Sequence, residues 1–265
     1  MRDEADHLDH LVINALFEMD GAAALFASLG FQLTPRGHHS LGSINHLMML
    51  PGCYLELVGL PLDIDKLRQE VLDSPHGPSG FVPGSDDIVA TRERLLAVGL
   101  HPAGIVDFSR PVMLDGLEHH ARFRTVRVAT EDFAAGRVYW CQHLTPELVW
   151  RDEWLIHDNG LRAIDHLAID SSDAPAAATR YAKATGGQAA RDGDRWVVTL
   201  ADGFRLLIEP ASQDRYTRIG LTFHALHGLA DRAAHRHDLQ WQADGSDHAT
   251  LTIPSLALVL DCRAA

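Results

Sequence analysis

Two short apolar segments of the chain carry the dipeptide Asp-His at their centre. Residues 8–13 read LDHLVI and residues 164–169 read IDHLAI. Because side chains alternate between the two faces of a strand, this pattern predicts that His10 and Asp9 point to opposite sides of a sheet. An imidazole in such a strand can ligate a divalent metal, or it can be a core histidine with hydrogen-bonded ring nitrogens.

A carboxylate lies in another apolar segment, where alternation places Tyr54, Glu56 and Val58 on one face. A histidine and a carboxylate that face one cavity from neighbouring strands suit Zn, Fe, Mn, Co or Ni, with open positions for an oxygenated substrate. His10 and Glu56 are the pair that fits this chemistry. The alternative interpretation makes Glu56 a paired structural carboxylate and His10 a core residue.

The elements that position these residues repeat along the chain. Each Asp-His segment precedes an alanine-rich helical segment and then further strand-like runs, so the repeat is a βαβββ unit. The first unit covers residues 7–60, with later strands expected at 31–36, 44–50 and 53–58. A connecting helix is expected at 62–72.

A second unit is predicted from a weak strand at 80–84, a helix from Asp86 to Gly99, and strands at 104–113, 121–129 and 137–143. The third unit has a helix at 174–185 and a hairpin at Asp202-Gly203, and the fourth starts at Ile219. The predicted fold is α+β, with four βαβββ modules paired into two curved mixed sheets. The predicted domains are residues 1–151 and 152–265, the second half being degenerate.

Composition narrows the function classes. The chain has 265 residues, a formal net charge of -13 and 46% hydrophobic residues, which disfavours nucleic acid or an anionic membrane as partner. No apolar run is long enough to span a bilayer, and three cysteines without a CxxC pair are typical of buried thiols, so a cytoplasmic location is expected. GxSxG, P-loop and GxGxxG motifs are absent from the sequence.

Several motifs resemble the glyoxalase-like branch of the vicinal oxygen chelate superfamily, which also includes bleomycin-resistance proteins and extradiol dioxygenases. They are LDHLVI, a helix ending in LGF, the asparagine of INHL, the strand YLEL and the segment CQHLTPELVWR. The resemblance implies paired βαβββ modules whose eight-stranded sheet encloses a cup. It further implies a divalent metal held by side chains of the first and last strands, although the superfamily also contains metal-free binding proteins.

The resemblance assigns His10 to the first-strand ligand position and Glu56 to the fourth-strand position. In the second module the corresponding positions hold Gly80 and Trp140, which offer no ligand. The same alignment places Gln142 on the cup face.

His143 is then expected on the opposite face unless the strand bulges or ends, and it is the best remaining third ligand. Its alternative role is a hydrogen bond to the linker at 144–162.

Two function classes follow. In the first, an enzyme uses a metal on His10, Glu56 and His143 as a Lewis acid, and a carboxylate, Glu56, or a metal-bound water moves a proton. The reaction is then that of a lyase, isomerase or dioxygenase. In the second, a metal-free cup sequesters a small molecule between aromatic side chains, Tyr139 among them, as in bleomycin-resistance proteins. The expected substrate-binding residues are Tyr54, Asn45, Phe123, Trp140 and Gln142.

The second half offers an alternative site. His166 matches His10, but Leu207 stands where Glu56 is expected, and Glu209 lies two residues further on the same face. We interpret this half as a decayed duplicate in which His166 is structural. The expected partner is a small-molecule substrate. Modules of this superfamily also pair between chains, which would give a homodimer, but four modules in one chain make an intramolecular cup the simpler expectation.

Overall fold

A computed structural model describes residues 6–63 and 67–265, which form two eight-stranded sheets. The first half contains the strands β1 (Leu8–Leu16), β2 (Gly37–His39), β3 (Ser43–Leu50), β4 (Cys53–Gly59), β5 (Gly77–Pro83), β6 (Val106–Leu114), β7 (Leu117–Arg127) and β8 (Arg137–His143). Its helices are α1 (Met19–Ser28), α2 (Gln69–Leu72) and α3 (Ile88–Ala97).

The second half repeats this succession of elements. Its strands are β9 (Leu161–Ser171), β10 (Gln188–Asp192), β11 (Arg195–Thr199), β12 (Arg205–Pro210), β13 (Arg215–Phe223), β14 (Gln240–Asp244), β15 (His248–Ile253) and β16 (Leu258–Ala264). Its helices are α4 (Ala174–Thr185) and α5 (His227–Ala234). The longest helix among the described residues has 12 residues, and none of these helices is long and apolar enough to cross a bilayer.

The strand order confirms the predicted pairing of modules. The first sheet runs β2-β3-β4-β1-β5-β8-β7-β6 and the second runs β10-β11-β12-β9-β13-β16-β15-β14. His10 and Trp140 therefore lie in the same sheet, as expected. The α+β fold of four βαβββ modules is correct, whereas the division into domains at residues 151 and 152 stays a prediction.

The two edges of the first sheet meet, which closes its cup. The backbone N–H of Ser40, just after β2, donates to the carbonyl of Ser109 in β6 at 3.0 Å, and the N–H of Ser109 donates to Ser40 Oγ at 3.3 Å. In the second sheet, by contrast, every residue of the edge strand β10 is exposed. This contact covers one side of the first cup, and polar groups that are buried there interact more strongly than polar groups in water.

Two sequence predictions about the first half are wrong in detail. Residues 31–36 are not a strand, because Phe31 packs edge-on against Phe26 at a centroid distance of 5.2 Å and the chain pairs with β3 only from Gly37 onward. The helix expected at 62–72 is confined to the four residues of α2, while residues 64–66 lie outside the described part of the chain.

One cluster of buried apolar side chains includes residues of both sheets. Phe81 of β5 stacks on Phe204, just before β12, with centroids 6.0 Å apart and an interplanar angle of 14°. Trp140 of β8 belongs to the same cluster, and its Nε1–H donates to Asp6 Oδ2. The two halves thus stabilise each other through a shared core, and a separate apolar cluster fills the first cup.

Candidate functional site

The first cup encloses a small cavity between its two modules. Its volume is about 30 Å³, so it offers space for small chemical groups only. The lining combines apolar, aromatic and ionisable side chains. They are His10, His39, Asn45, Leu47, Tyr54, Glu56, Arg68, Phe108, Arg110, Phe123, Tyr139 and Cys141.

Asp9 does not occupy the face that strand alternation predicts. Between Leu8 and His10 the pairing of β1 with β5 skips Asp9, so β1 bulges at this residue. The bulge turns the Asp9 carboxylate onto the same side as His10, and the side chain is 3% exposed. Its Oδ1 lies 2.5 Å from His10 Nδ1, and its Oδ2 lies 2.9 Å from His143 Nε2.

His10 is held in one orientation by these contacts. Because Nδ1 is bonded to Asp9, Nε2 points into the cavity, where it lies 3.2 Å from the Tyr139 hydroxyl and 3.7 Å from Glu56 Oε2. The Tyr54 ring stacks on the imidazole with centroids 4.5 Å apart. A carboxylate behind a histidine is the arrangement that fixes the tautomer and ring direction of a metal-ligating imidazole.

Glu56 is a buried carboxylate on the neighbouring strand. Its Oε1 accepts a hydrogen bond of 2.7 Å from Asn45 Nδ2. Burial raises the pKa of Glu56, but the nearby imidazoles of His10 and His39, the Asn45 hydrogen bond and the Arg68 charge together lower it below its ordinary value. Glu56 is therefore ionised near neutral pH, with Oε2 directed toward His10.

The neighbouring histidine in the cavity is neutral. Burial is the main cause that lowers the pKa of His39, to about 3, and the Arg68 and Arg110 charges act in the same direction. The Asn45 amide donates to His39 Nε2 at 3.2 Å, so Nδ1 carries the proton and donates to Ser43 Oγ at 2.8 Å. His39 thus orients Asn45, which in turn orients Glu56.

His143 faces the cup, in contrast to the face that the sequence alignment predicts. The strand β8 has no bulge here and ends at His143, before Pro146: Phe123 of β7 pairs with His143, and Thr125 pairs with Cys141. His143 contacts Asp9 and is not among the described residues that line the cavity shared by His10 and Glu56. The predicted three-residue set His10, Glu56 and His143 is therefore not brought together around one point.

A second group of donor atoms lies beside that cavity. One ligand atom each from Asp9, Cys141 and His143 all fall within 4.8 Å of one another. Burial, and then the negative charges of Asp9 and Glu56, raise the pKa of the Cys141 thiol well above its ordinary value. Because thiolate is the form that ligates a metal, this cost favours the His10 and Glu56 pair over the Cys141 group.

The placement of Trp140 and Gln142 on the cup face is wrong. Both lie on the opposite face of β8: Trp140 is fully buried in the core shared by the two sheets, and Gln142 Nε2 donates to the Asp86 carbonyl before α3. Of the other predicted substrate-binding residues, Tyr54, Asn45 and Phe123 do line the cavity. Gly80 lies against Val12, as expected for a position without a ligand.

The alternative site of the second half also differs from its prediction. Glu209 pairs with Arg218 at 2.7 Å, whereas His166 lies between Asp165 at 2.9 Å and Asp261 at 3.3 Å. A Cβ atom on Gly220 would come within 2.2 Å of the His166 ring, so only glycine leaves room for the imidazole there. These contacts support a structural role for His166.

Replacing His166 by alanine is expected to lower the free energy of unfolding by about 1–3 kcal/mol at pH 6, because Asp165 and Asp261 lose a buried partner. Burial alone would lower the His166 pKa, but hydrogen bonds to these carboxylates outweigh burial and raise it. The stabilisation from protonated His166 is complete below the unfolded value near 6.5 and is lost as the pH rises through the folded-state pKa. Urea unfolding of both proteins from pH 5.5 to 9 should show the difference narrowing, and a variant that kept its stability but lost bound metal would contradict the structural role.

The amino-acid sequence did not indicate that two basic residues line the cavity. Arg68 and Arg110 are 7% and 3% exposed, and both guanidinium groups line the cavity. Nothing in the local sequence of Arg110 distinguishes it from an exposed strand arginine. Asp9, by contrast, belongs to the repeated Asp-His dipeptide, which is a sequence feature that could have drawn attention to it.

The fold and this geometry agree with comparisons to known proteins. A sequence profile described as Glyoxalase-like domain matches residues 8–185. The chain therefore belongs to this glyoxalase-like family, within the vicinal oxygen chelate superfamily. Among curated proteins, none matches the chain in sequence.

Solved structures share the fold at low sequence identity. A hypothetical protein from Staphylococcus aureus aligns with a TM-score of 0.70 at 12% identity, over 97% of this chain and 99% of that chain. The Mn(II)-bound glyoxalase from Novosphingobium aromaticivorans aligns with a TM-score of 0.60 at 12% identity, over 98% of this chain and 82% of that chain. A mutant of 4-hydroxymandelate synthase from Streptomyces coelicolor aligns with a TM-score of 0.57 at 12% identity, over 99% of this chain and 94% of that chain.

Proposed function

We propose that this protein is an enzyme that holds a divalent metal on His10 Nε2 and Glu56 and acts on a small oxygenated molecule in the first cup. The observation that carries the proposal is the bond between Asp9 and His10, which directs His10 Nε2 into the cavity, 3.7 Å from the ionised Glu56 carboxylate. Two ligands at this separation leave open positions for oxygen atoms of a substrate. A metal-containing structural relative, the Mn(II)-bound glyoxalase, is consistent with this chemistry.

The cavity around His10 and Glu56 contains both a proton donor and a proton acceptor. A divalent cation bound there would supply Lewis acidity toward vicinal oxygen atoms of the substrate. Burial raises the pKa of Tyr139 above its ordinary value, so its hydroxyl keeps its proton and can donate to a substrate oxygen. Glu56, ionised and held by Asn45, is the carboxylate that accepts a proton. Lyase, isomerase and dioxygenase reactions all fit these roles.

The proposal is tested by measuring the metal content of the wild type and the metal affinity of a Glu56 variant. Protein purified without a chelating tag should take up about one equivalent of at least one of Zn, Mn, Fe, Co or Ni, as measured by elemental analysis after dialysis. Glu56→Gln keeps the shape but weakens the ionic bond, and it should lower metal affinity at least tenfold while the fold is retained. Glu209→Gln, in the second half, is the matched control and should bind metal like the wild type.

The second candidate function is a metal-free binding protein. The observation that favours it is the β5 position, where Gly80 offers no ligand. If wild-type protein binds no metal at stoichiometric level and Glu56→Gln binds small molecules unchanged, this function replaces the metal enzyme. In either case the proposed partner is a small molecule, while the homodimer and the cytoplasmic location stay predictions.

A further inference from the structure

One buried guanidinium of the first cup has no hydrogen-bond partner among the described residues. Arg110 is 3% exposed, and its guanidinium makes no hydrogen bond or ion pair with any of the residues 6–63 and 67–265. Its NH2 nitrogen is fully buried without a hydrogen-bond partner. Leaving a buried charged donor unpaired costs free energy, so a site that keeps one is built for a ligand that pairs with it.

The other charged groups of the cavity each have a polar contact within ion-pair or hydrogen-bond distance, although the Arg68 Nε nitrogen is also buried without a hydrogen bond. Arg68 Nε lies 3.6 Å from Glu70 Oε1, and one of its terminal nitrogens is 3.4 Å from Ser43 Oγ. Glu56 accepts from Asn45 and faces His10. Arg110 is thus the arginine of this cavity whose guanidinium has neither a hydrogen bond nor an ion pair among the described residues, and the Glu56 charge acts on it without such a contact.

The local backbone is shaped to leave this guanidinium in place. Arg110 lies over Gly37 of β2, where an added Cβ atom would be 3.1 Å from its Cδ and 3.2 Å from its NH1 nitrogen. The same Cβ atom would be 2.3 Å from Asn45 Oδ1. Glycine at this position lets the arginine and the asparagine that orients Glu56 lie side by side, so an anion bound by Arg110 would sit next to the His10 and Glu56 pair.

We infer that the first cup recognises a small monocarboxylate, whose carboxylate group pairs with the Arg110 guanidinium. The inference rests on the proposal that this cavity is the working site, but it does not require a bound metal. A guanidinium presents two parallel N–H donors that match the planar carboxylate, and the small cavity fits one planar group better than a tetrahedral phosphate. The stacked rings of Phe108 and Phe123, with centroids 5.0 Å apart, provide an apolar side for the rest of the ligand.

Acetate and acetamide test this inference, because they share a shape and differ in charge. Protein stripped of metal with a chelator and then dialysed is titrated with each compound at constant ionic strength, with saturation-transfer NMR of the methyl protons as the readout. Wild type should bind acetate at least tenfold more tightly than acetamide. Arg110→Met should remove this preference and leave acetamide unchanged, while Arg110→Lys should retain part of it.

Arg122→Met is the matched control, since Arg122 is an exposed arginine on the adjacent strand β7. It should keep the acetate preference in full, and thermal unfolding of each variant identifies any loss of fold. Equal binding of acetate and acetamide by wild type, tighter binding of inorganic phosphate than of acetate, or a folded Arg110→Met that keeps the preference would each overturn the inference. Because metal is absent, failure here is distinguishable from failure of the metal proposal, which elemental analysis decides.

Discussion

Asp9→Asn is expected to weaken metal binding by about 10- to 100-fold, although Asp9 is not one of the two proposed ligands. The carboxylate bonds His10 Nδ1 and thereby aims Nε2 at the cavity. It also contacts His143 Nε2 at 2.9 Å, and an amide cannot bond both imidazoles as an acceptor. The His10 ring should then be held less firmly in the direction that points Nε2 at the cavity. Competition with a fluorescent chelator measures the affinity.

The repeated dipeptide supplies the control for this experiment. Asp165→Asn changes the same Asp-His pair in the second half, where Asp165 Oδ2 lies 2.9 Å from His166 Nδ1. It should leave metal affinity unchanged. Cys141→Ala separates the two candidate metal centres: a loss as large as that of Asp9→Asn would place the metal on Asp9, Cys141 and His143 instead of on His10 and Glu56.

Trp140→Ala is expected to destabilise the protein by about 3–5 kcal/mol, the cost of removing a large buried aromatic side chain. Trp140 is fully buried in the core that joins the two sheets, and its indole N–H bonds the Asp6 carboxylate. The change leaves a large cavity and removes one hydrogen bond from Asp6, whose carboxylate still accepts from Arg94. Urea unfolding gives the free energy, and Trp241→Ala, on the edge strand β14 where the ring is only partly buried, should cost less.

A conservative change distinguishes packing from ligand binding at the same position. Trp140→Phe keeps most of the apolar volume and loses the bond to Asp6, so it should be milder than alanine and should leave metal and acetate affinities unchanged. A folded Trp140→Phe with wild-type stability and lost ligand binding would show that Trp140 belongs to the site after all.

Local sequence signals determined most of the secondary structure and the modular repeat. The helix predicted at 174–185 has the observed bounds of α4, because Asp173 caps its start and Gly186 follows its end in the left-handed conformation. The turn at Asp202-Gly203 connects β11 and β12 as expected. The pairing of modules followed from the repeat, since each βαβββ unit needs a partner to bury its open edge.

The candidate site was only partly predictable, because its residues are positioned by pairing between distant segments. The sequence indicated His10, Glu56, Asn45 and Tyr54, which strand alternation and the family motifs place on one face. It placed Trp140 on the cup face and His143 on the opposite face, whereas the structure shows the reverse. An error of one residue in the alignment of a strand exchanges its two faces. That error lies in β8, whose register is decided by its pairing with β7.

Only tertiary structure decided that the side chains of Asp9 and Arg110 enter the site. Asp9 enters the site because β1 bulges where it pairs with β5, and a bulge is a property of two strands and not of one sequence segment. Arg110 is buried because the edges β2 and β6 meet around Ser40 and Ser109, which are 69 residues apart. The Arg110 guanidinium is shielded from solvent by contacts between strands that are distant in sequence. The residues beside Arg110 in the chain therefore do not predict its burial.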